Sequence, residues 1–174
     1  MQKIKTKQLA FDAMFAAMTA VLSYLALDLG NLKITFEGLP LIVGALLFGP
    51  VDGFLIGAVG TFISQLLKYG ITITTPLWIA PYAISGLFLG FLAKKTNFNS
   101  TKLQLLIFII INELMVTALN TLVMYIDAKL YGYYTPQYIF GSLVVRIILS
   151  AAKGIVYGIL VPVILKALHR AIKF

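Results

Sequence analysis

Residues 102–129 read KLQLLIFIIINELMVTALNTLVMYIDAK, a run closed by lysines and holding two ionisable residues in its interior, Glu113 and Asp127. A helix rises about 1.5 Å per residue, so about 20 apolar residues cross the hydrocarbon core of a bilayer. This run is long enough to do so. Its polar residues are ordered: Glu113, Thr117, Asn120 and Asp127 recur at helical spacing with Met124 on the same line, which puts them on one face. Ionisable groups inside a span are costly and face a cavity or a partner, so this face is where chemistry is sought first.

The rest of the chain repeats the pattern. With 60% hydrophobic and 11% charged residues and a mean hydropathy of +0.97, it is far from a soluble domain. At roughly 20 residues per crossing, 174 residues allow about six to eight spans and leave no room for a soluble domain. No cysteine is present, which excludes disulfides, thiolate metal sites and Cys nucleophiles. The net charge of +8 does not indicate nucleic acid, because the basic residues sit between apolar runs and act as topology signals. Lys3, Lys5 and Lys7 ahead of small residues resemble a signal peptide, yet the segment is expected to stay as a helix.

Toward the C-terminus, a helix over about Gln137 to Lys173 carries Ser142, Arg146, Ser150, Lys153 and Tyr157 as a matching stripe. Toward the N-terminus, Pro76 opens a helix ending at Lys94-Lys95 and offering Trp78, Tyr82 and Ser85. Before it, a helix from about Val51 to Tyr69 has Asp52 in its first turn and Thr61, Ser64, Gln65 and Lys68 at i, i+3, i+4 and i+7. Gly49-Pro50 separates this from a helix over about Leu39 to Phe48, too short to span upright. The first helix covers about Leu9 to Leu27 and stops where Asp28, Gly30 and Asn31 gather. The expected fold is all-α: one domain over residues 1–174, an integral membrane bundle of six transmembrane helices.

Six crossings put the N-terminus, the 94–102 loop and the C-terminal end on one side. That side holds Lys3, Lys5, Lys7, Lys94, Lys95, Lys102, Lys166, Arg170 and Lys173, against Lys33, Lys68 and Lys129 opposite. Nine against three predicts that both termini are cytoplasmic and that residues 28–37, 70–76 and 129–137 face outward.

In this arrangement Lys68, Trp78, Asn120 and Arg146 lie near the outer surface, while Glu113 and Lys153 lie deeper. Aromatic, amide, carboxylate and guanidinium groups around one cavity suit a flat heteroaromatic ligand that bears donors and a negative charge. The predicted substrate-binding residues are Gln65, Lys68, Trp78, Tyr82, Glu113, Asn120 and Arg146; no catalytic or metal-ligating residue and no cofactor is expected. Plainer roles stand beside these. Glu113 with Lys153 or Arg146 forms a self-neutralising ion pair on one reading, Trp78 is an interfacial belt residue on another, and Gln65 and Asn120 join neighbouring helices on a third. On the first helix, Ala13, Ala16, Ala17 and Ala20 form a strip of small side chains that lets another helix approach closely, within the chain or on a partner. The chain lacks a phosphate-cradling Gly-x-x-x-x-Gly-Lys-Ser/Thr loop, so ATP-driven work needs a partner.

Three stretches carry a resemblance: Asn31-Leu-Lys-Ile-Thr-Phe-Glu-Gly-Leu-Pro40, then Leu47-Phe-Gly-Pro50 with Gly53 and Gly57, then Thr74-Thr-Pro-Leu-Trp78. They resemble the substrate-binding S component of an energy-coupling factor (ECF) vitamin transporter, of the folate-specific type. The resemblance implies a six-helix fold in the bacterial plasma membrane and an outward site closed by the first external loop. It also implies a membrane coupling (T) protein and two cytoplasmic ATPases as partners, with ATP used only by them, and the alanine strip as the docking surface. An S component for another vitamin and a non-transporting structural membrane partner are the alternatives. An intramembrane enzyme is disfavoured, because His169 lies at the opposite end from the cavity and Glu113 lacks a second paired acid.

Overall fold

The computed structural model describes residues 6–29 and 32–171; Lys3, Lys5, Gly30, Asn31 and Lys173, used above, lie outside the described residues. In chain order the elements are α1 (Thr6–Tyr24), β1 (Leu27–Leu29), β2 (Leu32–Ile34), α2 (Gly38–Phe48), α3 (Pro50–Tyr69), α4 (Thr75–Lys95), α5 (Lys102–Tyr131), α6 (Pro136–Phe140) and α7 (Leu143–Ala171). Apart from one short hairpin the architecture is helical.

The boundaries follow local chemistry. Thr101 caps α5 in a reciprocal capping box with Gln104. Gly132, at φ +78°, closes the other end in the left-handed conformation glycine favours. Pro50 and Pro76 sit in the first turns of α3 and α4, where a missing N–H costs nothing. Two expectations change. The first helix stops at Tyr24, short of Leu27, because Leu27–Leu29 pairs antiparallel with Leu32–Ile34 inside what was expected to be a loop. The last helix is two pieces, interrupted at Gly141-Ser142, both poor helix formers. Among the described residues, four units are long and apolar enough to cross a membrane, namely α3, α4, α5 and the run Pro136–Leu168.

The remaining helices pack onto these four. All of Pro40–Leu46 in α2 is buried, as suits a helix apolar on every side. The core gathers around it, with Leu41, Ile42, Ile56, Leu89, Ile109 and Val161 fully buried. The α3–α4 seam is a backbone contact. Gly53 and Gly86 lie so close that a Cβ on either would run into the carbonyl of the other, and Gly57 meets the Tyr82 carbonyl in the same way. α1 lies on α3, where Ala16 presents its carbonyl to Gly60. The alanine strip is therefore divided: Ala16 and Ala20 are buried in this internal contact, while Ala13 and Ala17 point outward. A 100° step between neighbours turns Ala16 and Ala20 inward and leaves Ala13 and Ala17 on the outer face of α1.

Candidate functional site

The polar faces of α3, α4, α5 and α7 meet at the end of the bundle that carries the hairpin. They enclose a cavity of about 520 Å³, bounded also by Ser23 of α1 and by the segment Thr35–Glu37. That volume is within the ordinary range for small-molecule sites. Five of the seven predicted ligand residues line it: Gln65, Trp78, Tyr82, Asn120 and Arg146.

Each wall is tied down. On α3, Thr61, Gln65 and Tyr69 face the cavity at successive i+4 steps, and Ser64 turns aside to bond Ser23 across 2.9 Å. On α4, Trp78 Nε1 donates to Asp127 Oδ1 at 3.3 Å, and the Tyr82 hydroxyl donates to Glu37 Oε1. Both rings are thus held by their polar tips while lining the space. On α7, Arg146 Nη2 donates to Thr121 Oγ1 at 2.7 Å, whereas Nη1 is shut away from water without a partner. The guanidinium nonetheless brings a positive charge to the lining, which favours an anionic group in the cavity.

Two predicted residues are not on the lining. Lys68 turns toward α1, its ammonium 5.9 Å from the centroid of the Tyr24 ring. The stripe that faces the cavity is 61, 65, 69, and Lys68 belongs to the row that drifts from it by one helical step. Glu113 is 3% exposed and forms a 3.0 Å ion pair with Lys153 behind the cavity wall. The self-neutralising pair is the arrangement found, with Lys153 as the partner. Lys153 itself reaches the lining.

Several residues on the lining lay outside the predicted set. Glu37 stands in the segment before α2, with Thr35 Oγ1 donating to its Oε1 at 2.9 Å. Its signal was present in the sequence: a helix of 11 residues is too short to span upright from surface to surface, so the residue preceding it lies within the bundle. Tyr131 at the end of α5, Tyr133 in the connection that follows and Tyr138 on α6 add three tyrosines. The Tyr133 hydroxyl donates to Asp127 Oδ2, and burial followed by that bond holds its phenol well above the ordinary tyrosine value. Asp127, 8% exposed, thus joins α5 to both Trp78 and this connection. Thr72 and Thr74 add hydroxyls from the α3–α4 connection.

Among the described residues no cluster of His, Cys, Asp or Glu has the makings of a metal site. The arrangement can sort a ligand by polarity, with hydroxyl-supported carboxylate at one wall, guanidinium at another and aromatic rings between. A sequence model of the family described as "ECF transporter, substrate-specific component" matches residues 7–165 of the chain. No curated protein matches it.

Proposed function

We propose, from the premise that this chain belongs to the substrate-specific component family of ECF transporters, that it captures folate with high affinity and delivers it to its transport partners. Membership makes it a substrate-binding membrane subunit that works with a membrane T protein and ATPases and is not an ATPase itself.

The finer reading takes α1 and α2 together with the four apolar units as six crossings in a bacterial plasma membrane. Both termini are cytoplasmic, two ATPases are engaged from that side, and the hairpin end faces out. The nine-to-three lysine and arginine asymmetry supports this orientation. Docking to the T protein uses the outward Ala13 and Ala17.

The observation that carries the folate reading is the cavity itself. Trp78 and Tyr82 offer aromatic faces, Gln65, Asn120 and Glu37 offer partners for a ring edge, and Arg146 brings a positive charge to the lining for a carboxylate. A structural partner without ligand is favoured only by the self-paired Glu113 and Lys153, which lie at the wall and leave the cavity unfilled. Calorimetry on purified protein tests the reading: folic acid is expected to bind one to one with a dissociation constant below about 1 μM. Binding of riboflavin, thiamine or biotin in its place would keep the subunit and change the vitamin. Failure to bind any of them, with no small molecule co-purifying, would leave the structural reading.

A further inference from the structure

Three carboxyl groups approach the cavity; Asp127 accepts from Trp78 through one oxygen and from Tyr133 through the other, and the two glutamates are not equivalent. Glu113 is neutralised by a cation: Oε2 pairs with Lys153 at 3.0 Å, and Oε1 packs over Gly38, where an added Cβ would lie 3.2 Å from it. It does not reach the lining. Glu37 does, although it is 2% exposed. Its Oε1 receives both protein donors, the Thr35 hydroxyl at 2.9 Å and the Tyr82 hydroxyl. Its Oε2 has no hydrogen-bond donor among the described residues. A carboxylate held in the cavity wall with one oxygen saturated and the other without a protein donor keeps acceptor capacity that a ligand can use.

We propose that Glu37, and not Glu113, reads the ligand, and that it does so through Oε2 as a single-point acceptor for an exocyclic amino group on a flat ring. This rests on the function proposed above. Two occupied lone pairs on Oε1 remove the two-point carboxylate clamp, so one N–H donor is recognised and not an adjacent pair. An exocyclic amino group is the donor that projects furthest from a heteroaromatic edge and reaches a carboxylate fixed in the wall. Thr35 and Tyr82 are positioning residues: they hold Oε1 and so aim Oε2. The placement of Glu37 one residue before α2 also means that the bound ligand ties the segment following the hairpin to α4 through Tyr82.

The test uses folic acid and its 2-desamino analogue, which keeps the ring and the glutamate and lacks one amino group. A site built to bond a donor rejects the analogue lacking it, so unmodified protein should hold the analogue at least about 30-fold more weakly. Glu37→Gln should lose affinity for folic acid by a similar factor, and the preference between the two ligands should shrink to about threefold or less. Unmodified protein that binds both within about threefold overturns the inference and leaves folate capture standing. A Glu37→Gln protein that keeps the full preference also overturns it. If unmodified protein ignores folic acid altogether, the proposed function falls and this inference with it. The comparison of ligands on unmodified protein needs no variant to fold.

Discussion

The two ends of this bundle are built on opposite principles. At the end away from the hairpin, α2, α3 and α4 pack through apolar side chains and bare backbone, with Leu89 and Ala93 buried and the glycines of α3 and α4 in direct contact. At the hairpin end the same helices diverge around a cavity and present hydroxyls, amides and carboxyls that bond one another across the space. One half is held by shape and the other by polar ties with gaps. The difference teaches that the closed half sets the frame while the open half keeps polar groups such as Glu37 and Arg146 on a cavity wall, where the proposed ligand would meet them.

The largest effect is expected where shape has no slack. Gly53→Val places side-chain atoms against the Gly86 carbonyl, which is backbone and cannot rotate away. Overpacking costs typically about 1–3 kcal/mol and more when backbone must move, so this variant should lose its monodisperse peak in size-exclusion chromatography or melt far below the parent. If it stays folded and binds ligand normally, the seam is not the frame we describe. Next comes the outward α1 face: Ala13→Trp or Ala17→Trp should abolish complex formation with the T protein and uptake while ligand affinity survives, because bulky residues block close helix approach. Equal loss of ligand binding would reassign these alanines to internal packing, where Ala16 and Ala20 already are.

A smaller effect is expected at the open end, confined to binding. Arg146→Ala removes the guanidinium offered to a ligand carboxylate, and losing one partner of a desolvated charged contact costs about 2–5 kcal/mol, roughly 30-fold to several-thousand-fold in affinity. Thermal stability should change little, since this side chain makes one bond to the protein, to Thr121, and leaves Nη1 unpaired. Affinity retained within about threefold, measured by calorimetry, would remove Arg146 from the site.

The open end was also the harder one to read from sequence. Gln65, Trp78, Tyr82, Asn120 and Arg146 were legible because polar residues at helical spacing in an apolar run have few places to face. Lys68 was misassigned because rows 61–64–68 and 61–65–69 both fit a period near 3.6, and only the position of α1 separates them. Glu113 required knowing which cation it meets, a matter of how α5 lies on α7. Glu37 and Tyr133 sit in connections, where periodicity has nothing to say. The hairpin was missed because three-residue strands are too short to show alternation. On α1, four alanines look alike in sequence, and the neighbouring glycine at position 60 decides which pair is buried.

The smallest effect separates the latch from the site it steadies. Tyr133 donates to Asp127, which also receives Trp78 Nε1, so Tyr133→Phe removes one of two donors and leaves the other. Tyr133 is 43% exposed, so water competes for the same oxygen and the bond is worth about 0.5 kcal/mol, roughly 1–2 °C in melting temperature for a chain of this size. Ligand affinity should fall by no more than about threefold, through a looser Trp78. The pH dependence has a definite sign. A phenol whose value is raised in the fold contributes stability that is complete below the ordinary tyrosine value near 10 and is lost only as pH rises through the higher folded value. The difference between Tyr133→Phe and the parent should therefore be the same at about pH 7 and pH 9, and should shrink only above about pH 10. No difference at either of the first two values would mean that the bond to Asp127 does not form in solution. A difference of several degrees at pH 7 would mean that the open end is held far more tightly than its single hydrogen bonds imply, and the contrast between the two ends would no longer stand.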